Sequence, residues 1–375
     1  MNVKTAPIVK VEALHVRKRL KIAAGPPGHY NEARESVFLK LSTADGAVGW
    51  GETYALPGVI QTINELAELV LGHDPLEILR SWCPPWTAAV ASPSARAAID
   101  IALHDLSGQV LGIPVYTFLG GSVRKRVRPY ASALLYKKGY GPGEQWIDEA
   151  QDLVARGFTA IKLRIGGYPD NVEIPLLENL RGDVPSNVQL MVDAWGAYSF
   201  ADALKVGRVL GDCGYAWFEE PIPPEPDHGG YPELARDLAV PVAGGEMIAD
   251  RAELRRLLER RAFDVVQPDV CIAGGLREVL FAAELADLNG IRCVPHTWNG
   301  GVMNAATMHV LAAMPFHSRQ PDADAALLEY DTSENPFMRE VLVDPPTLDR
   351  GGFDVPAKPG LGVTVDEARL RALAI

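Results

Sequence analysis

Three carboxylates end three successive strand-like segments of this chain. Asp193 lies in QLMVDAW, Glu219 in AWFEEP and Glu246 in PVAGGE, at intervals of 26 and 27 residues, about the length of one strand–helix unit. Neighbouring parallel strands lie about 4.8 Å apart, so acidic side chains at equivalent heights can converge on one point. Such a cluster repels itself unless a cation lies at its centre, and three hard oxygen donors suit Mg²⁺. The spacing therefore predicts a metal site.

The segments that carry these carboxylates belong to a longer repeat. Stretches with helical periodicity, such as DRAELRRLLERRA, alternate with short apolar runs from about residue 126. Eight alternations favour an α/β fold of the closed (β/α)₈ TIM-barrel type over a doubly wound open sheet, which shows similar alternation. The eight runs start 22 to 34 residues apart: VRPYAS (127–132), AIKLRI (160–165), QLMVDA (189–194), AWFEEP (216–221), PVAGGE (241–246), FDVVQPD (263–269), RCVPHT (292–297) and ALLEYD (326–331).

The first 125 residues follow a different pattern. VKVEALHVRKRL and ESVFLKLSTADGAVGWGET have the character of antiparallel strands, joined by a long connection at 21–34, and helical segments follow them. We expect an N-terminal α+β capping domain over 1–125 and a catalytic barrel over 126–340. We expect the C-terminal segment, 341–375, to pack back on the capping domain or on the barrel.

The other predicted strand ends also carry chemically active side chains. Lys162 and Arg164 on the second strand are two residues apart, which points both to the same face. Asp269 ends the sixth strand, His296 the seventh, and Glu329 lies on the eighth. A histidine beside an aspartate on the next strand is the arrangement that orients an imidazole as a base. Because barrel chemistry takes place at the C-terminal strand ends, these residues predict proton-transfer groups around the metal.

Each of these residues also has a structural alternative. A single carboxylate can be an ion-pair partner, Asp269 can cap the following helix, and His296 can be a satisfied core histidine. Three carboxylates in register, and a histidine next to an aspartate in the barrel order, favour the catalytic interpretation. Strand alternation points Glu220 away from Glu219, so we interpret it as structural. The same interpretation applies to two histidines without a recognisable partner, His228 and His309.

Composition limits the functional class. The net charge of −12 disfavours nucleic acid and anionic membranes as partners, although a bound cation can still attract an anionic substrate. Four cysteines without CxxC spacing indicate reduced thiols. The chain has no apolar run of about 18 residues and no signal-peptide core at its N-terminus. We expect a cytoplasmic enzyme that binds a small anionic carboxylate, has no nucleic-acid or membrane partner, and forms a homo-oligomer.

The order of motifs resembles the enolase superfamily, in its mandelate racemase/muconate lactonizing enzyme family and within that its mandelate-racemase-like branch. The resemblance covers essentially the whole chain, through GWGET (49–53), LHDLSGQVLGIPVYTFLGG (103–121), KLR, VDAW, WFEEP, PVAGGE, VVQPD, VPHTW and LLEYDTSENPF. It implies that Asp193, Glu219 and Glu246 bind one Mg²⁺, with Mn²⁺ as a substitute. It also implies that His296 and Asp269 form the base dyad and that Glu329 donates a hydrogen bond to the substrate carboxylate.

The family resemblance also suggests substrate contacts. In the family the first domain covers the barrel mouth with substrate-selecting loops, and segments 21–34 and 51–53 match those loops in position. Trp195 stands where many relatives carry a polar residue, two positions after the first ligand, and we interpret it as a packing or substrate-wall residue at the mouth. The predicted substrate contacts are Trp195, Trp298, Thr53 and Tyr30.

The reaction implied by the resemblance begins with removal of the proton α to a carboxylate. Racemising relatives carry Lys-x-Lys on the second strand, whereas this chain has Lys162-Leu163-Arg164. A guanidinium stays protonated and is a poor base, so racemisation, which needs two bases, loses support unless Lys162, or Arg164 as an unusual base, acts on that face. A syn elimination needs only His296. The cycloisomerising and dipeptide-epimerising branch places a lysine where this chain has Asp269, which disfavours that branch.

We therefore expect a hydro-lyase that dehydrates an aldonic or aldaric acid to a 2-keto-3-deoxy acid. The alternatives within the superfamily are a sugar-lactone cycloisomerase and a racemase or epimerase of a 2-hydroxy acid. An alternative from a different class is a binding protein that keeps the fold and the metal without the reaction.

Overall fold

The computed structural model describes residues 5–224, 228–315 and 326–375. Its N-terminal part is built on a four-stranded antiparallel sheet, in the order β3-β2-β1-β5. Four helices follow β3, and a short 3₁₀ turn at Val115–Thr117 leads out of the last of them. The strands are β1 (Ile8–Gly25), β2 (Asn31–Thr43), β3 (Val48–Thr53) and β5 (Tyr136–Lys137), and the helices are α1 (Val59–Ala67), α2 (Pro75–Ile78), α3 (Pro85–Val90) and α4 (Pro93–Leu111).

The connection between the first two strands is shorter than the sequence predicted. We expected a long loop over 21–34, but β1 continues to Gly25 and β2 begins at Asn31, so only 26–30 turn. The two strands pair from Ile8 with Thr43 to Ala24 with Asn31, with an irregular stretch between Arg19 and Ala24. Backbone pairing therefore extends the two strands over 21–25 and 31–34, and both prolines of the segment stay in the turn at 26–30.

The second part of the chain is the predicted modified TIM barrel. Eight parallel strands neighbour one another in the order β11-β10-β9-β8-β7-β6-β4-β12. Side chains connect the first and last strands of this order. The Thr297 hydroxyl and the Asn304 amide, which follow β11, both donate to the carbonyl of Glu329 on β12, at 2.7 and 3.0 Å. The strands are β4 (Arg126–Ala133), β6 (Ala160–Arg164), β7 (Gln189–Asp193), β8 (Phe218–Glu219), β9 (Val242–Gly244), β10 (Val265–Val266), β11 (Arg292–Cys293) and β12 (Leu327–Asp331).

Amphipathic helices surround the strands and bury their apolar faces against them. In α9, for example, Leu254, Leu257 and Leu258 are buried while the arginines between them face solvent. No helix in the described ranges has the length and apolar character needed to cross a bilayer. The barrel helices are α5 (Trp146–Ala155), α6 (Asp170–Asp183), α7 (Phe200–Asp212), α8 (Tyr231–Asp237), α9 (Arg251–Glu259), α10 (Leu276–Leu288) and α11 (Gly301–Ala313).

The last residues of the chain contact both parts of the fold. After α12 (Pro336–Arg339), β13 (Phe353–Asp354) pairs antiparallel with β4 of the barrel. After α13 (Glu367–Ala372), the backbone N–H of Ile375 donates to the carbonyl of His15 in β1 at 3.0 Å. The C-terminal segment therefore joins the barrel to the capping sheet, while the domain boundaries at 125 and 340 stay a prediction.

Buried carboxylates of the N-terminal part cap helices of the barrel. Glu52 of β3 accepts from the backbone N–H of Met303 at 2.9 Å, in the first turn of α11. Asp100 of α4 accepts from the N–H of Leu276 at 3.0 Å, where α10 begins. Helix starts expose N–H groups and positive partial charge, so these contacts favour docking of the capping domain on the barrel.

The glycines of GWGET allow β3 to approach α4 closely. A Cβ on Gly51 would lie 2.0 Å from the carbonyl oxygen of Ala98, and one on Gly49 would lie 2.4 Å from that of Ala102. Both obstacles are backbone atoms, which cannot move away as the end of a side chain can. The two glycines of this motif are therefore required for the packing of β3 on α4, in addition to the predicted place of the motif at the barrel mouth.

Replacing Gly51 by alanine should destabilise the protein by about 1–3 kcal/mol, because the methyl group overpacks the β3–α4 contact. Urea unfolding followed by tryptophan fluorescence measures the change. Gly182→Ala is the matched control, since a Cβ there meets nothing within 4 Å in α6. Equal unfolding free energies for the two variants would show that β3 and α4 are not held at this distance.

Candidate active site

The barrel interior explains why charged side chains collect at the strand ends. An apolar layer fills the barrel, and it includes Ala160, Met191, Trp217 and Leu327. Side chains alternate along a strand, so the residue two positions later points to the same interior at the next level. That next level consists of one ionisable residue on each of these four strands: Lys162, Asp193, Glu219 and Glu329.

The register of the strands brings the predicted metal ligands together. Arg164 pairs with Asp193 between β6 and β7, and Asp193 pairs with Glu219 between β7 and β8. Glu246 follows two residues after β9 ends at Gly244. The structure thus places Asp193 and Glu219 on neighbouring strands and Glu246 just after the next strand, all at the same end of the barrel.

Two cationic side chains lie between these carboxylates. Lys162 Nζ is 2.5 Å from Glu219 Oε1, 2.7 Å from Glu329 Oε1 and 3.4 Å from Asp193 Oδ2. Arg164 donates to the other side of the cluster, to Asp193 Oδ2. Burial lowers the pKa of Lys162, but the surrounding carboxylates outweigh it and raise that pKa above its usual range. Both cations are therefore charged in this arrangement.

Glu219 is held by a shell of donors behind the cluster. Its Oε2 accepts from Trp217 Nε1 at 2.9 Å and from Gln267 Nε2 at 2.8 Å. Burial, together with the charges of Asp193, Glu329 and Glu246, raises the pKa of Glu219 to about 8 against the effect of Lys162. The donors orient one carboxylate oxygen and leave the other directed at the centre of the cluster.

The donor set fits a divalent cation. Within the described ranges no three acidic, histidine or cysteine side chains already converge as a ligand cluster, because Lys162 and Arg164 contact the carboxylates instead. The cluster nevertheless carries excess negative charge. Asp193, Glu219 and Glu329 contact Lys162 or Arg164, while Glu246 and Asp269 contact His296, so five carboxylates face two permanent cations and one imidazole. Hard oxygen donors with uncompensated charge suit Mg²⁺.

The two residues of the predicted base dyad contact each other between the sixth and seventh strands. Asp269 and His296 pair as a parallel bridge, and His296 Nδ1 lies 2.7 Å from Asp269 Oδ2. The other aspartate oxygen accepts from the backbone N–H of Cys271 at 2.6 Å, so Asp269 also caps the turn that follows it. Asp269 does not cap the following helix, because α10 begins at Leu276 with Gly275 as its N-cap. Its part in the base dyad stays a prediction.

The second imidazole nitrogen faces the carboxylate cluster. His296 Nε2 is 3.3 Å from Glu246 Oε2 and 3.8 Å from Glu329 Oε2. Burial lowers the pKa of His296, but Glu246, Glu329 and Asp269 outweigh it and raise the pKa to about 10. Burial is the main cause of the raised pKa of Glu219. Uncompensated negative charge contributes to the raised pKa values of both Glu219 and His296, and a bound cation would balance it.

Glu329 is an anion in this arrangement. Burial raises its pKa, but Lys162 and His296 outweigh burial and lower it to about 2. One of its oxygens accepts from the backbone N–H of Thr297 at 3.0 Å. Donation from Glu329 to a substrate carboxylate therefore requires Glu329 to gain a proton, which the contact with Lys162 opposes, and this role stays a prediction.

Tyr54 is a site residue that the sequence reasoning missed. Its hydroxyl donates to Asp269 Oδ2 at 2.7 Å, the same oxygen that holds His296. Burial and the charge of Asp269 raise the pKa of Tyr54 well above 10, so the phenol keeps its proton and donates. The available signal was alternation in GWGETY, which puts Tyr54 on the same face of the chain as Glu52.

Tyr54→Phe should lower kcat about tenfold with little change in KM. A hydrogen bond to a charged group contributes about 1.5–3 kcal/mol, and part of that fixes the dyad for the reaction. Steady-state kinetics at saturating Mg²⁺ measure both constants. Tyr215→Phe removes a hydroxyl that donates to the Leu177 carbonyl at 2.9 Å, away from the carboxylate cluster, and is the control. A Tyr54 variant with native kcat would show that Asp269 needs no support from the capping domain.

The predicted substrate contacts occupy different environments. Trp195 is 49% exposed with a φ of 48°, and its ring lies 6.0 Å from that of His29 in the 26–30 turn. Tyr30 is 42% exposed in the same turn. Thr53, in contrast, is fully buried in β3. Contact between these residues and a substrate stays a prediction.

Trp298 lies between a cation of the barrel and a cation of the capping sheet. The guanidinium carbon of Arg164 is 5.1 Å from the centroid of the Trp298 ring, and that of Arg34 is 4.4 Å away. Arg34 also donates to Asp331 Oδ2 and Ser333 Oγ, both at 2.8 Å. Sequence reasoning did not single out Arg34, although it ends the segment expected to cover the mouth.

The three residues interpreted as structural have their contacts away from the carboxylate cluster. Glu220 turns away from the cluster and accepts from the backbone N–H of Gly245 at 2.8 Å and from the Tyr231 hydroxyl at 2.6 Å. His309 is fully buried, and its Nδ1 accepts from the N–H of Tyr116 at 3.2 Å. His228 packs its ring against Tyr231, with centroids 5.2 Å apart.

Known protein families match the N-terminal part and the barrel of this chain separately. Residues 10–120 match the mandelate racemase / muconate lactonizing enzyme N-terminal domain, and residues 145–369 match the enolase C-terminal domain-like family. The chain belongs to the enolase superfamily. Within the superfamily it is 31% identical to the D-galactarolactone cycloisomerase of Agrobacterium fabrum over 347 residues, which cover 90% of this chain and 91% of that protein.

Two further superfamily members are similar along most of their length. The arabinonate dehydratase of Saccharolobus solfataricus is 32% identical over 342 residues, covering 88% of each chain. The crystal structure of a racemase from Streptomyces coelicolor A3(2) with bound magnesium superposes with a TM-score of 0.86 at 25% identity, covering 98% of this chain and 100% of that chain. Sugar-acid dehydratases and cycloisomerases are thus both among the relatives of this enzyme.

Proposed function

We propose that this protein dehydrates a sugar acid, aldonic or aldaric, to a 2-keto-3-deoxy acid. The observation that carries the proposal is the geometry of His296, whose Nδ1 is held by Asp269 while its Nε2 faces the carboxylate cluster. The similarity to arabinonate dehydratase supports the same reaction class. The substrate is then a small anionic carboxylate.

In the proposed reaction His296 Nε2 removes the proton from the carbon α to the substrate carboxylate. Asp269, on Nδ1, keeps the ring oriented and stabilises the imidazolium that forms. The imidazolium then returns its proton to the departing β-hydroxyl, the C–O bond breaks, and water leaves. The resulting enol tautomerises to the 2-keto acid, so one histidine supplies both proton transfers.

The remaining residues of the cluster would bind and stabilise the substrate. Asp193, Glu219 and Glu246 would hold one Mg²⁺, with Mn²⁺ as a substitute, and the related racemase structure with magnesium supports this choice of metal. When bound there, the ion supplies Lewis-acid stabilisation of the negative charge on the substrate carboxylate. Arg164 stays protonated and acts as a donor to a substrate oxygen.

A panel of aldonic and aldaric acids tests the proposal. With Mg²⁺ present, at least one acid should yield a 2-keto product detected as its semicarbazone, and the α-position should exchange with D₂O only in the turned-over epimer. Exchange in both epimers without a keto product would replace dehydration by racemisation, with Lys162 as the second base. Tight metal binding without α-proton exchange on any acid would favour a binding protein.

A sugar-lactone cycloisomerase is the second candidate, and the similarity to D-galactarolactone cycloisomerase favours it. The same removal of an α-proton by His296 would then expel a ring oxygen in place of a free hydroxyl. Aldarolactones added to the panel distinguish the two reactions. Turnover of a lactone without turnover of any open-chain acid would assign the protein to this alternative.

A further inference from the structure

A cavity of about 300 Å³ lies between the capping domain and the barrel, and none of its lining residues belongs to the carboxylate cluster or the dyad. One wall is the segment that runs from α2 to the start of α4. The opposite wall is the start of α9 and the turn that leads into α10. The charged residues that line it are Arg80, Arg96, Asp100, Arg251, Arg277 and Glu278.

Positive charge in this cavity exceeds the negative charge available to balance it. Glu278 uses both oxygens for Arg251, at 2.6 and 2.8 Å. Asp100 accepts from the N–H of Leu276 and lies 3.4 Å from the imidazole of His104. In the part of the chain that the structure describes, no carboxylate lies within ion-pair distance of three other lining residues, Arg80, Arg96 and Arg277.

Arg96 is the best-positioned donor of this group. Its Nε is buried and has no hydrogen-bond partner among the described residues. Its guanidinium lies against Gly274, where an added Cβ would be 3.1 Å from Nη2 and where φ is 103°. The glycine therefore makes room for the guanidinium, and a buried N–H without an acceptor favours binding of an external one.

The N-terminal turn of α10 adds to the positive electrostatic potential in this cavity. Arg277 belongs to the first turn of this 13-residue helix, whose N-terminus carries positive partial charge. Guanidinium groups therefore reach the cavity from both walls. In a protein with a net charge of −12 this local excess of cations stands out.

We propose that this cavity binds a phosphate group, either as free phosphate or as part of a small phosphorylated metabolite. Guanidinium forks match phosphate oxygens in geometry, and a dianion can accept from more than one fork at a time. A volume of about 300 Å³ is at the lower end of the range for small-molecule sites. Because Arg96 belongs to α4 and Arg277 to α10, the bound group would tie the capping domain to the barrel.

Titration of the full-length protein with inorganic phosphate, without Mg²⁺ and followed by calorimetry, tests the proposal. Phosphate should saturate one site, and Arg96→Met and Arg277→Met should each raise the dissociation constant at least tenfold. Arg255→Met is the matched control, because Arg255 lies on the surface of α9 and pairs with Glu259. It should bind phosphate as the parent protein does. Circular dichroism confirms that each variant is folded.

A thermal melt gives a second readout, since a ligand that binds only the folded state raises the unfolding temperature with concentration. Phosphate should raise it in the parent protein and in the Arg255 variant, but not in the Arg96 and Arg277 variants. A phosphorylated sugar acid that binds more tightly than free phosphate would identify the metabolite as the source of the phosphate group, and the reverse order would identify the free ion.

Three results would overturn the proposal. They are no saturation below about 10 mM phosphate, equal affinity in the parent protein and both arginine variants, and tighter binding of malonate than of phosphate. None of these results bears on the dehydratase proposal, because the cavity shares no residue with the dyad or the carboxylate cluster.

Discussion

Replacing His296 by asparagine should lower turnover by about 10²–10⁴-fold while leaving Mg²⁺ affinity close to that of the parent protein. The range is the usual contribution of a general acid–base group. Asparagine keeps a side-chain amide that can donate to Asp269 but has no basic nitrogen to face the carboxylate cluster. Because one imidazole is proposed to take the α-proton and to protonate the leaving hydroxyl, both α-exchange and elimination should be lost together.

Kinetics with the acid that the panel identifies, and calorimetric titration with Mg²⁺, measure these two effects separately. His15→Asn is the control, because His15 lies in the capping sheet and pairs with Glu35 at the surface. Near-native turnover in the His296 variant would shift the base role to Lys162 on the opposite side of the cluster. If the variant loses elimination but retains α-proton exchange, another residue removes the α-proton and His296 serves only as the proton donor to the leaving hydroxyl.

Much of the barrel could be predicted from the sequence because its signals are local. Each strand is a short apolar run with a polar residue at its end or within three residues after it, and parallel neighbours place those ends at one edge. The register observed from Arg164 to Asp193 to Glu219 follows from this pattern. The dyad could be predicted in the same way, since Asp269 and His296 end consecutive strands.

Contacts between the two parts of the fold could not be predicted in this way. Tyr54 reaches Asp269 across 215 residues of sequence, and Arg34 reaches Asp331 across 297. Such contacts depend on how the capping sheet docks, which hydrophobic periodicity does not encode. The β1 and β2 strands were too short in the prediction for a related reason, because their extension over 21–25 and 31–34 depends on pairing with each other and not on local sequence alone.

The docked capping domain also changes the interpretation of the dyad. A histidine and an aspartate on adjacent strands would be complete within the barrel. Here Asp269 Oδ2 receives both His296 and Tyr54, and the carboxylate of Glu52, two residues before Tyr54, caps the helix that follows the His296 strand. The orientation of the proposed base therefore depends on the position of β3. Docking of the capping domain on the barrel thus affects the geometry of proton transfer.

Glu219→Gln should weaken Mg²⁺ binding by more than 100-fold and lower every α-proton reaction with it. Loss of a residue that merely orients a ligand costs about 10–100-fold in metal affinity, and loss of a charged ligand should exceed that. The amide removes one negative charge from the cluster. Moreover, Glu219 Oε2 accepts from both Trp217 Nε1 and Gln267 Nε2, so the amide can satisfy both donors only with its oxygen there. Its NH₂ group would then face the centre of the cluster, where a cation ligand is expected.

Calorimetric titration with Mg²⁺ measures this effect without turnover, and Glu220→Gln is the matched control one residue away. Glu220 is buried but turns to Gly245 and Tyr231, so its variant should bind Mg²⁺ as the parent protein does. Native Mg²⁺ affinity in the Glu219 variant would remove this residue from the proposed ligand set. Glu219 and Glu220 carry the same charge but point in opposite directions, so a direct ligand role predicts a loss of Mg²⁺ affinity in the Glu219 variant alone. Equal losses in both variants would show that Mg²⁺ affinity responds to the net charge of the barrel mouth.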